Sequence, residues 1–183
     1  MIRNTGKDAR SGNTGVTMSL QEQIMRSLAG LKGLDSDVPT TVEWSTEGGA
    51  AVAVDFTVVD SLSCGFRELR VSAERLKTAV SMSGLLSWAD SVCQKVTYLL
   101  EHIGPLETDK AAQIVLIRST PPVKSPGQTT FYEILVQTPG TLSLRRYTRA
   151  GHDADRSSCD IQMTHEVLVR LVQDIVAAIP SAA

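Results

Sequence analysis

The chain has 183 residues, 42% of them hydrophobic and 21% charged, and its 18 basic and 20 acidic side chains leave a formal net charge of −2. That length and composition suit one folded domain with a sizeable core. So slight an acidic balance supplies no general field for nucleic acid or anionic lipid, and either would need a local patch.

Residues 1–17 hold Gly, Asn, Thr, Ser and charges with almost no apolar side chain. Such a composition cannot offset the entropy of ordering, so a disordered tail is expected there, with an α+β domain over 18–183. GKDARSGNTG is no phosphate loop, because its lysine follows the wrong glycine and no strand precedes it. Ser19 and Glu22 have the spacing of a capping box. Leu20, Ile24, Leu28 and Leu31 then recur as one helical stripe, with Gly33 as the stop.

Strands are predicted at 42–44 and 51–59, on either side of a Gly48-Gly49 turn. Alternation places Val52, Val54, Phe56 and Val58 on one face. DSLSCG reads as a turn into a strand over 66–71. The next segment reads as mostly helical, with a break near Gly84. Its best stripe is Trp88, Val92, Val96, Leu99 and Ile103, and Gly104-Pro105 is the stop.

Residues 111–119, AAQIVLIRS, are apolar at successive positions, as expected of a central strand buried on both faces. TPPVKSPGQ reads as a stiff flap, followed by strands at 131–137 and 141–149 joined through Thr138-Pro139-Gly140. The final helix carries Leu168, Leu171, Val172, Ile175 and Ile179 on one face and ends at Pro180. The predicted architecture is α+β, a mostly antiparallel sheet with amphipathic helices packed on one face, in the order α-βββ-α-βββ-α.

Chemistry concentrates in GHDADRSSCDIQMTHE, residues 151–166. Cys159 with His152 or His165 supplies the residue types of a thiol nucleophile and its base, the basis of a possible small hydrolase or transferase. Composition alone does not identify such a site, and the spacing excludes the usual metal motifs: His165 lies six residues after Cys159 and His152 seven before it. No zinc-finger pair, HExxH helix or calcium loop is formed. The plainer expectation is a polar connection capped by Thr164, with Glu166 at the positive end of the last helix and His165 exposed in its first turn. No metal or cofactor is expected.

Alternation over 141–149 places Leu142 and Leu144 on one face and Arg145, Tyr147 and Arg149 on the other. An Arg-Tyr-Arg face could hold phosphates and stack a base, so these three are the candidate RNA contacts. Cys64, Cys93 and Cys159 are an odd set without a CxxC pair, which fits a reducing compartment. With neither a secretory h-region nor a run of about 18 apolar residues, the expectation is a soluble, cytoplasmic protein with no membrane contact.

WADSVCQKVTYLLEHIGPLETD, IRSTPP, FYEILV, LSLRRY and THEVLVRLVQDI together resemble an uncharacterised bacterial family without assigned activity, over about residues 85–178. The resemblance implies a cytoplasmic bacterial protein and carries over no catalytic residue. The order helix, strands, helix, strands, helix is also similar to small type III secretion chaperones, which implies dimers that bind extended peptides. The expected role is a non-enzymatic protein-interaction or chaperone-like domain, acting on a protein partner or as a homodimer.

Overall fold

The capping box at Ser19 forms as its spacing predicts. Ser19 Oγ accepts from the Glu22 backbone N–H, and the Glu22 carboxylate accepts from the Ser19 N–H at 2.8 Å. Helix α1 runs Leu20–Gly30, and its buried Ile24 and Leu28 meet β1 (Leu34–Ser45) and the C-terminal helix. Two hydrogen bonds seat it on β1: Trp44 Nε1 donates to Ser27 Oγ at 3.0 Å, and the Gln23 amide donates to the Ser45 carbonyl. The computed structural model describes residues 18–73, 76, 81–151 and 155–181; the tail expected over 1–17 lies outside them.

After β1 come β2 (Ala50–Val59), β3 (Ser63–Ala73), α2 (Met82–Lys95), β4 (Ile103–Asp109) and β5 (Ile114–Ser119). Then follow β6 (Val123–Ser125), β7 (Gln128–Gln137), β8 (Thr141–Ala150), β9 (Arg156–Cys159), β10 (Ile161–Thr164) and α3 (His165–Ala177). The protein is therefore α+β and mostly sheet. One antiparallel sheet has the order β1-β2-β3-β8-β7-β5-β4, and β6 joins it through β7. β3 and β8 pair directly only over Glu68–Ser72 and Thr141–Arg145. Beyond that stretch they part around β9 on β8 and β10 on β3. Asp160 marks the switch, accepting from Thr57 Oγ1 at 2.6 Å and facing Arg67 at 3.5 Å.

Alternate residues of the strands share one buried core with residues of the helices. Val52, Val54, Phe56, Phe66, Leu69, Val115, Ile117, Ile134, Val136, Leu142 and Leu144 are buried with Trp88 and Val92 of α2 and Leu168, Leu171, Val172 and Ile175 of α3. Each such aliphatic side chain contributes about 1.5–3 kcal/mol by leaving water. Among the described residues no helix is long and apolar enough to cross a membrane.

Five expectations are corrected. Among the described residues seven strands, not three, lie between α2 and α3. α2 stops at Lys95 instead of running to Gly104. Val96 leaves helical geometry (ψ 75°), and Tyr98 is drawn to α3, where its hydroxyl donates to Asp174 at 2.8 Å beneath the Arg170 guanidinium. Ile103 is buried as the first residue of a strand, with Gly104-Pro105 inside it. Val58 is 39% exposed and Val59 is buried, because an irregularity in register between Phe56 and Val58 exchanges the two faces. β5 alternates instead of being apolar on both sides: Val115, Ile117 and Ser119 are buried, whereas Ile114, Leu116 and Arg118 are partly open. Finally, 156–164 is not a loop but the two strands β9 and β10.

Candidate functional site

On the side of the sheet away from the helical core, alternation brings a different set of side chains together. β2 presents Ala51, Ala53 and Asp55, β3 presents Glu68, Arg70 and Ser72, and β8 presents Ser143, Arg145 and Tyr147. β7 adds Phe131, Glu133 and Leu135, and β5 adds Arg118. Their register makes rows across the strands: Glu68 opposite Arg145, Arg145 opposite Glu133, Glu133 opposite Arg118, and Phe131 opposite Tyr147.

The rows are tied by charge. Arg70 donates to both Asp55 oxygens at 2.7 and 2.9 Å and to Glu68 at 2.8 Å, and Arg145 donates to Glu68 at 2.9 Å. Burial alone would push Asp55 up, but its bonds from Arg70 and Thr41 outweigh that and hold its carboxyl below the ordinary range. Glu68, and after it Tyr147, raises Arg145 further. Two carboxylates therefore meet two guanidiniums. Beside them lies a groove of about 520 Å³ floored by Ala51, Ala53, Ser72 and Ser143 and bordered by Leu135 and Gln137.

The neighbouring part is built differently. The single buried carboxylate of Glu133 takes hydrogen bonds from both Arg118 at 2.7 Å and Arg156 at 2.6 Å. Arg118 lies 4.9 Å above the Phe131 ring and Arg156 4.4 Å above Tyr147, and the two rings pack together at 5.9 Å. Next to them β6 folds back on β7 as the flap expected from TPPVKSPGQ. It bounds a trough of about 680 Å³ that also reaches Leu106, Lys124 and Arg149.

The predicted site residues fall as follows. Arg145, Tyr147 and Arg149 occupy the strand that alternation assigned, with Leu142 and Leu144 buried behind them. Tyr147 is only 9% exposed, and its ring is held between Phe131 and Arg156. Cys159 stands opposite Arg146 in the β8–β9 pair, and its thiol is pushed up by burial, against the pull of Arg146. His165 begins α3, half-buried, with Nε2 3.1 Å from the Ser63 carbonyl. Asp160 and the four residues of β10, at about 3.3 Å each in the strand, separate it from Cys159 along the chain. His152 lies outside the described residues. Among those described, no three His, Cys, Asp or Glu are placed to hold a metal ion.

Sequence reasoning missed Asp55, Glu68, Arg70, Arg118, Phe131, Glu133 and Arg156. The signal for two of them was present: alternation in FYEILVQ already separates Phe131 and Glu133, with Leu135, from Tyr132, Ile134 and Val136. It also missed a buried cluster on the core side. There Arg146 donates to Glu101 at 2.6 Å and lies over Tyr132, while Ser119 Oγ donates to the other Glu101 oxygen.

Fold and face together define the class, an α+β protein built on one large antiparallel sheet. No protein-family model, curated protein or solved structure matches the chain.

Proposed function

We propose that this is a protein-interaction domain of chaperone-like type, working in a reducing cytoplasm, with all three helices on the core side of the sheet and the outer face left for a polypeptide partner. The observation that carries the reading is the groove across β2, β3 and β8. Its floor is small side chains, and its border combines leucine with an ordered charge network. Small floors let another backbone approach closely, and fixed charge pairs set its register.

The two edges of the sheet favour the face over strand addition. β1 carries Pro39 within a register break between Asp35 and Thr40, and β4 carries Pro105 beside a break before Glu107. Proline and bulges are the usual protection of an edge against pairing with another chain. No observation favours the thiol-enzyme or RNA readings: the Cys159 thiol is raised, not lowered, and the Tyr147 ring faces other side chains.

The test places a photo-crosslinking residue at Ser143 in the full chain and identifies the products by mass spectrometry. The expected product is one defined polypeptide, either a second copy or another protein, and Ala53→Trp, which fills the groove, should suppress it. Light scattering assigns the second-copy case. A chain that stays monomeric and yields no Ser143 product sensitive to Ala53→Trp would overturn the reading.

A further inference from the structure

The two parts of the outer face differ in net charge. Around the groove, Asp55 and Glu68 match Arg70 and Arg145. Around the trough, Arg118, Lys124 and Arg149 line the wall, and the Glu133 carboxylate that holds Arg118 from behind also takes Arg156. No carboxylate is among the described residues lining the trough. A chain of net charge −2 therefore concentrates an excess of positive charge in one cavity.

The same cavity is also apolar. Leu106 is 54% exposed at its rim, and Pro121, Pro122 and Phe131 contribute to its walls. We infer that the trough beneath the β6 flap is a binding site for an acidic polypeptide segment, with carboxylates toward Lys124 and Arg118 and an aliphatic side chain against Leu106. This deepens the protein-interaction reading and rests on it.

Charge complementarity alone would fit RNA as well, but the aromatic groups decide between the two. Single-stranded nucleic acid is held by bases stacked on open ring faces. Here Phe131 and Tyr147 stack on each other and lie under Arg118 and Arg156, so their faces are taken. An aliphatic contact at Leu106 needs no open ring. The guanidinium of Arg118, already fixed by Glu133 and Phe131, reaches a carboxylate with little further loss of freedom.

The probe is a fluorescein-labelled octapeptide of alternating Asp and Leu, read by fluorescence anisotropy against a Lys–Leu octapeptide and an eight-residue uridine oligonucleotide. The Asp–Leu peptide should bind at least about tenfold more tightly than either, and less tightly as salt rises. Lys124→Glu and Leu106→Asp, both at exposed positions, should each weaken it about tenfold while circular dichroism stays unchanged. Equal binding of the acidic and basic peptides, tighter binding of the oligonucleotide, or insensitivity to both substitutions overturns the inference. Ser143 crosslinks that persist in Lys124→Glu would then show that the broader reading stands without it, and loss of those crosslinks in the unsubstituted chain would remove the broader reading.

Discussion

The two sides of this sheet handle charge in opposite ways. The core side is almost wholly aliphatic and aromatic, and its buried ion pair, Glu101 with Arg146, is sealed beside Ser119 and Tyr132. The outer side strings Asp55, Arg70, Glu68, Arg145, Glu133 and Arg118 across neighbouring strands, with most of the arginines a third to a half exposed. Buried apolar area sets stability, whereas half-exposed ion pairs add little to it and instead fix where charges stand. The core side should therefore govern folding, and the outer side recognition.

The sharpest break in that comparison comes from the core aromatics. Phe66→Ala should lower unfolding free energy by about 3–5 kcal/mol in urea titrations, whereas Leu135→Ala on the outer side should lose less than about 1.5 kcal/mol. Equal losses would mean that the outer face is itself part of the core.

Next in size is the buried pair. Glu101→Ala leaves the Arg146 guanidinium without its carboxylate in a site where Glu101 is 4% exposed. The expected loss is about 3 kcal/mol, because an uncompensated buried charge is strongly unfavourable. Removing both partners together, Glu101→Gln with Arg146→Met, should recover much of it.

A smaller effect tests the outer network through pH. The Asp55 carboxyl is held below its unfolded value, so its contribution is present above the ordinary carboxylate range and lost as pH falls through the folded value. With Arg70 40% exposed, that contribution is at most about 1 kcal/mol. Asp55→Asn should therefore be slightly less stable than the parent at pH 7, with the difference closing below about pH 4. A difference that grows in acid would reverse the assignment.

The smallest expected signal is chemical. Burial pushes the Cys64 thiol up to about 12 and, with help from Asp90, the Cys93 thiol to about 11, and Cys159 is raised as well. Iodoacetamide at pH 7 should label Cys93 and Cys159 slowly in the folded protein, and Cys64 only on unfolding. Rapid labelling of Cys159 alone would restore the case for an activated thiol.

How much of this was legible depends on which forces acted locally. Alternation in 141–149 separated Leu142 and Leu144 from Arg145, Tyr147 and Arg149, and the structure keeps that division. It misplaced Val58 only because an irregularity in the β2–β3 register intervenes, a feature set by the neighbouring strand. The Trp88-to-Ile103 stripe misled for a related reason. Its last positions are apolar because they meet β5 and the core, and strand burial there has the same apolar mark as a helix face.

What the sequence determined by itself was local. It set the capping box at Ser19 and Glu22, the Thr164 cap of α3, the flap, the β7–β8 hairpin and the faces of the long strands. Those features depend on residues within a few positions of one another. Only the tertiary structure decided that 156–164 would divide its pairing between β8 and β3, that Arg118 and Arg156 would share Glu133, and that cations would gather beside Leu106. Those arrangements join strands far apart in sequence, and their energy exists only once the sheet has brought the strands side by side.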